Sequence, residues 1–245
     1  MGEIIAICSR KGGTAKTTSA QAIADGIRRA GFSVLLIDLD SQYNLTKAMG
    51  ADPGGLNSSD LFVITTRPAR LIQHTANGDI IPGAAELAAG DKELTDNGQL
   101  KKALKPIIND YDYIIIDTPA SYGRLTMNAL TAATQVIITT EPATFSADGL
   151  AELARIIKQI RRNNKNLTIR GIIVTRCDAR SNEVKQTIEE IRAEAAAIGT
   201  EVLGTIRATS KVSSAQRHQQ NLFDYAPRST AAQDYNSIAE VIHKW

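Results

Sequence analysis

Short apolar runs alternate with longer amphipathic stretches along all 245 residues of the chain. Ile4–Cys8, Val34–Ile37, Tyr113–Ile116, Val136–Thr139, Thr168–Val174 and Val202–Ile206 are compact and rich in β-branched side chains. A strand covered on both faces of a parallel sheet has no polar side to alternate with, so such runs predict fully buried strands. Between them the apolar spacing becomes helical. Lys16–Ala30 sets Ala20, Ile23, Ala24 and Ile27 on one stripe, and Gly31 follows as a stop signal. Ala147–Asn163, Asn182–Ile198 and Ala231–Trp245 show the same periodicity. Strand–helix alternation of this kind predicts an α/β fold, a doubly wound, mainly parallel sheet flanked by helices. Residues 52–66 are the least regular and predict a surface loop with a short helix. No repeat or Pro/Gly/Ser linker interrupts the pattern, so residues 1–245 are expected to form a single domain.

Composition narrows the class. With 43% hydrophobic residues, the chain can fill one sizeable core. Its two cysteines, Cys8 and Cys177, can form neither a disulfide framework nor a four-ligand zinc site. No apolar run nears the roughly 20 residues that span a bilayer, and the first residues lack a secretory layout. A soluble, reduced, cytoplasmic protein is expected. The net charge of +2 conceals an asymmetry. Residues 1–149 carry 13 basic and 16 acidic side chains, whereas residues 150–245 carry 15 and 10. Either an anionic partner for the second half or ordinary solvated faces accounts for such a split.

The candidate chemistry begins where the first strand ends. Ser9-Arg10-Lys11-Gly12-Gly13-Thr14-Ala15-Lys16-Thr17-Thr18 leads from that strand into a helix, the layout of a phosphate-binding loop. Backbone N–H groups from Gly12 to Thr18 converge on phosphate oxygens there, and Lys16 neutralises the β- and γ-phosphates. The Thr17 hydroxyl suits Mg²⁺, which prefers oxygen ligands. Two further strands end in acid. Val34–Ile37 runs into Asp38-Leu39-Asp40, whose i, i+2 carboxylates point the same way from an extended chain. Tyr113–Ile116 runs into Asp117-Thr118-Pro119, the Walker-B arrangement, in which the aspartate accepts from a Mg²⁺-bound water.

Lys11-Gly-Gly-x-x-Lys16-Thr17-Thr18 resembles the deviant Walker-A loop of the ParA/MinD family of P-loop ATPases. The resemblance extends along nearly the whole chain. Asp79–Leu87 looks like that family's next strand and helix, Asn128–Ala133 like the helix after Walker B, and Leu222–Tyr235 like the approach to the last helix. It implies ATP and Mg²⁺ as cofactors. It also implies an ATP-bound homodimer in which Lys11 reaches the partner's phosphates, so that Lys11, Lys16 and Asp40 are the catalytic set. Asp40 matches the residue that orients or activates the attacking water, and Asp38 matches one that, with Thr17 and Asp117, holds the metal shell. Ala15 stands where the ordinary loop has glycine and Ser41 where the family has proline. A Cβ at position 15 hinders a positive φ, so slow hydrolysis with intact nucleotide binding is expected.

Branch features favour a short ParA-type partition protein. No basic amphipathic helix of the MinD kind is expected after the last core helix, of which Trp245 is expected to be a packed or frayed end. No iron–sulfur cysteine pair, tyrosine cluster or N-terminal helix-turn-helix is present. The resemblance then implies sequence-independent DNA binding by the dimer, a ParB-type centromere-binding partner that stimulates hydrolysis, and a nucleoid-associated, membrane-free location. Arg180 and Lys211 match the family's DNA-contacting arginines, and Arg217 is a further candidate along with Arg161, Arg162, Lys185 and Arg207. Arg176 and Arg207 are also expected to border the nucleotide base. The segment from Ile206 departs from the family's Ile-Pro-Arg-x-x-Arg-x-Ser-Glu-Ala at Arg207, Ala208 and Ser214. The alternatives are a membrane-associated spatial regulator like MinD and a cargo-positioning or metabolic ATPase of the same superfamily.

Overall fold

A computed structural model describes residues 2–63 and 65–244. Its eight-stranded sheet is ordered β3 (Gln73–Thr75), β4 (Gly78–Ile81), β2 (Val34–Asp38), β5 (Tyr113–Asp117), β1 (Glu3–Cys8), β6 (Gln135–Thr140), β7 (Thr168–Cys177) and β8 (Val202–Arg207). Every pairing is parallel except the β3–β4 hairpin. All six runs expected to be strands are strands, and β7 continues three residues further, to Cys177.

Side chains alternate between the two faces of each strand, and each face is covered by helices. In β1, Ile5 and Ile7 pack with α1 (Lys16–Arg29) and α10 (Thr230–His243) through Ile23, Ile27, Tyr235 and Ile238. Ile4, Ala6 and Cys8 look the other way, toward Leu104 of α4 (Gln99–Leu104), Leu130 of α5 (Arg124–Ala132), Ile157 of α6 (Ala147–Ile160) and Ile191 of α7 (Asn182–Ala197). Each of the four helices read from periodicity is present and ends one to three residues early. Trp245 lies outside the described residues.

Short elements escape periodicity because they hold too few apolar positions to repeat. They include α2 (Asn44–Met49), α3 (Leu87–Glu93), α8 (Ser210–Arg217) and α9 (Leu222–Tyr225). In the irregular segment 52–66 the expected short helix is a 3₁₀ turn, Ser58–Phe62. Asn57 caps it by accepting from the Ser59 N–H, and the Asp60 carboxylate accepts from the Asn57 N–H in return.

Helix α1 lies close against α10 because Gly26 presents no side chain. A Cβ at position 26 would stand 2.5 Å from the Ala239 Cβ. Gly26→Val should therefore cost about 1–3 kcal/mol of stability through overpacking, measured as a lower urea midpoint. Gly90→Ala in α3, where a Cβ meets open space, should instead be neutral or stabilise by about 0.5–1 kcal/mol.

Candidate phosphate-binding cleft

The carboxyl ends of β1, β2 and β5 meet at one edge of the sheet, where open α/β sheets bind ligands. The loop after β1 is pinned from several directions. Ser9 Oγ donates to the Lys11 carbonyl at 2.7 Å, and Lys16 Nζ donates to Ser9 Oγ at 3.0 Å. Thr14 Oγ1 lies 3.1 Å from Thr139 Oγ1 on β6, while Thr175 Oγ1 on β7 donates to the Thr14 carbonyl at 3.2 Å. Helix α1 starts at Lys16 with no side-chain cap. Its first-turn N–H groups are thus available to an anion, next to a lysine that is itself buried. Gly13 and Ala15 both take left-handed conformations, at φ 85 and φ 58.

Sheet register sets the acids. Asp38 and Asp117 are paired neighbours on β2 and β5, both fully buried. Asp117 Oδ2 accepts from Thr17 Oγ1 at 2.6 Å, and its Oδ1 has no protein partner. Burial, and then the adjacent Asp38, push the Asp117 carboxyl well above the usual carboxylate range. Asp38 is also raised by burial, but hydrogen bonds oppose that shift. Its Oδ1 accepts from the Asp40 N–H at 3.0 Å, and its Oδ2 accepts from the Thr46 N–H and Oγ1 at 2.9 and 2.8 Å. Expected beside the metal, Asp38 has both oxygens engaged in shaping the Asp40 loop. Ser58 and Thr46, neither evident in the sequence pattern, complete this support. Ser58 Oγ donates to the Asp38 carbonyl at 2.6 Å, and Thr46 Oγ1 accepts from the Gly83 N–H at 2.8 Å.

A cleft of about 720 Å³ opens beside these groups and is walled by the loop, α2 and α8. Lys16, Thr17 and Asp40 face it, as do Lys47, Arg176 and Arg217. A smaller cavity of about 220 Å³ borders Ala15 and Thr18 and is lined by Ile206, Ala208, Val212 and Tyr235. Lys11, Gly12 and Gly13 are exposed; the two glycines line the larger cleft, whereas Lys11 borders a separate cavity with Arg10, Tyr122 and Phe145. Lys11 pairs with no carboxylate among the described residues.

The expected arginines divide. Arg176, at φ 54, borders both cavities and pairs with Glu141 at 3.2 Å. Arg207 borders the smaller cavity, yet its guanidinium is committed to Asp234 of α10, at 2.7 Å from NH2 and 3.0 Å from Nε. It clamps β8 to α10 while lining that cavity. Arg180 and Lys211 are exposed just beyond the ends of β7 and β8. Arg217, expected with them, instead lines the cleft.

These groups suit a Mg²⁺–phosphate ligand. The buried, unpartnered Asp117 Oδ1 lies beside the Thr17 hydroxyl, and a divalent cation there would satisfy that oxygen and stabilise its charge. Among the described residues no three His, Cys, Asp or Glu side chains gather into a metal cage. That is consistent with Mg²⁺, which takes one or two carboxylates and fills its shell with phosphate and water.

Two family descriptions match the chain: "AAA domain" over residues 2–169, and "4Fe-4S iron sulfur cluster binding proteins, NifH/frxC family" over residues 101–245. The cluster of the second needs thiolate ligands, whereas Cys8 and Cys177 are buried on separate strands, with thiols raised by burial to about 12 and about 11. The chain is 34% identical to the sporulation initiation inhibitor protein Soj of Bacillus subtilis, covering 99% of this chain and 98% of Soj. It is 30% identical to the chromosome-partitioning ATPase Soj of Treponema pallidum, covering 99% and 97%. Among solved structures it is similar to cobyrinic acid a,c-diamide synthase of Mycobacterium smegmatis with bound ADP and magnesium (TM-score 0.82, 26% identity, 100% and 95% covered). It is also similar to the septum site-determining protein MinD of Pyrococcus horikoshii complexed with Mg-ADP (TM-score 0.81, 25% identity, 100% and 97% covered).

The positive φ of Ala15 gives the Ala15→Gly exchange a definite sign. Removing the Cβ should raise stability by about 1 kcal/mol and speed nucleoside-triphosphate turnover, read by calorimetry and by phosphate release. A variant with unchanged turnover and unchanged nucleotide affinity would show that the Cβ is innocuous.

Proposed function

The chain belongs to the ParA/Soj/MinD family of P-loop ATPases, and from that premise we propose a partition ATPase that couples ATP hydrolysis to the segregation or positioning of DNA. The observation that carries this reading is a cleft lined by an uncapped helix N-terminus, a buried lysine and Thr17, whose hydroxyl donates to a buried aspartate that keeps a free oxygen. ATP occupies the cleft. The N–H groups of Gly12–Thr18 and the Lys16 ammonium take its β- and γ-phosphates, while the base enters the smaller cavity beside Arg176. Thr17 and Asp117 hold Mg²⁺, and Asp38 supports the site through the Asp40 loop. A bound ion would contribute positive charge at the phosphate oxygens.

Asp40 orients the attacking water and accepts its proton, held in place by the Asp38–Asp40 hydrogen bond. Lys11, unpaired in one subunit, completes the partner subunit's site in an ATP-bound dimer. Arg180 and Lys211 lie at the carboxyl ends of adjacent strands, on the same edge as the nucleotide. They contact DNA phosphates, a sequence-blind and salt-sensitive mode that suits transient binding. A ParB-type partner triggers hydrolysis and release. No helix among the described residues is long and apolar enough to cross a membrane.

Asp40→Ala should keep nucleotide binding and lose on the order of a hundredfold in hydrolysis, measured by single-turnover phosphate release. DNA retention should appear with ATP and not with ADP. Arg180→Glu and Lys211→Glu should each weaken it about tenfold or more at low salt. Absence of ATP-dependent DNA binding by the wild type at low salt would overturn the partition reading. ATP-dependent sedimentation with liposomes in the same buffer would favour the MinD-like alternative.

A further inference from the structure

Lys47 and Arg217 face the cleft from two different helices, and neither is needed to build the phosphate loop. Lys47 lies on α2, just past the Asp40 loop, and Arg217 is the last residue of α8. Both are exposed cations with no carboxylate partner among the described residues. Lys47 Nζ donates to the Gln42 carbonyl at 3.2 Å and sits 4.0 Å over the Tyr43 ring. Arg217 makes only a 3.5 Å contact from NH2 to Ser214 Oγ. The same cleft also holds Lys16 and Arg176, the latter offset by Glu141, against a single lining carboxylate, Asp40. Its mouth is therefore more positive than the loop alone would make it.

The helices that carry the two cations are also fixed relative to each other. Gln216 Nε2 donates to Thr18 Oγ1 at 2.9 Å, which fixes α8 on the first turn of α1. In the β3–β4 turn, Asn77 Nδ2 donates to the Met49 carbonyl at 3.2 Å and to the Gln219 carbonyl at 2.9 Å. One side chain thus ties the end of α2 to the end of α8, and Arg28 donates to the Asn77 carbonyl from behind.

We infer that Lys47 and Arg217 form a second phosphate-binding subsite, closing over the polyphosphate of the bound nucleotide from the side opposite the loop. The inference rests on the reading that the cleft holds a nucleoside triphosphate. Arg217 then acts on nucleotide affinity rather than on DNA. Because α2 follows the Asp40 loop and α8 begins one residue before Lys211, a phosphate gripped by both helices joins the hydrolytic loop to the DNA-facing helix.

Titration of the full chain with mant-ATPγS and mant-ADP in Mg²⁺ tests this, using Lys47→Ala, Arg217→Ala, the double variant and Arg217→Lys. The double variant should bind mant-ATPγS on the order of tenfold more weakly. Its affinity should also depend less steeply on salt, and Arg217→Lys should recover part of the loss. Arg155→Ala, on the exposed face of α6, controls for net charge. Wild-type affinity and salt slope in the double variant would overturn the inference, as would an equal loss in Arg155→Ala. So would intact nucleotide affinity accompanied by weakened DNA retention, which would assign the pair to DNA. A wild type that binds neither probe would instead overturn the ATPase reading. An unchanged melting temperature without nucleotide separates lost contact from lost fold.

Discussion

Two carboxylates, Asp38 and Asp117, are held side by side out of water at the ends of neighbouring parallel strands. Isolated burial of even one such charge costs several kcal/mol, so much of the surrounding chain serves to make the pair tolerable. The two acids are treated differently. Asp38 receives three protein hydrogen bonds, from Asp40 and Thr46. Asp117 receives one, from Thr17, and keeps a free oxygen. Protein donors stabilise the first as part of the scaffold and leave the second with one oxygen open to a proton or a cation. A cation that bound there would add to the stability of the edge itself.

The effect of Asp38 reaches beyond the acid pair. Thr46 relays it to Gly83, and Ser58 holds its carbonyl, so the Asp40 loop, α2 and the segment entering α3 share one hydrogen-bonded network. A Cβ at Gly83 would stand 2.8 Å from the Asp38 carboxyl carbon, which explains glycine there. An acid at this site cannot be judged by its motif alone. Its role follows from which of its lone pairs the protein has already filled.

The sheet was legible because its strands are buried on both faces and read as unbroken apolar runs, whereas the hairpin strand Gln73–Thr75 and helix α2 are too short and too polar to register. The loop and the three acids were legible for another reason, since each sits where an apolar run ends. Thr46, Ser58 and Asn77 had no such signal. Ser58, Asn77 and the Thr46–Gly83 bond work at separations of 20 residues or more, and the Thr46–Asp38 bonds at eight. Arg207 and Arg217 show the limit most clearly. Both lie in one basic segment, yet one is neutralised by Asp234 on α10 and the other turns into the cleft. Charge along a sequence does not specify the direction a helix end will face.

Backbone strain marks the same boundary. The non-glycine residues with positive φ among the described residues are Ala15, Tyr43, Arg176 and Gln219. They stand at the entry to α1, the entry to α2, the end of β7 and the exit from α8, which are the corners of the cleft. Each left-handed non-glycine residue costs roughly 1–2 kcal/mol, and such strain persists only where neighbours over-determine the conformation. Those neighbours are present: Thr175 holds the Thr14 carbonyl next to Ala15, Lys47 covers Tyr43, and Asn77 holds the Gln219 carbonyl. A cleft built from strained corners and separately anchored walls has little freedom to reshape one side at a time. A change at the phosphates should therefore reach α8 and Lys211 through rigid contacts rather than through a disordered hinge.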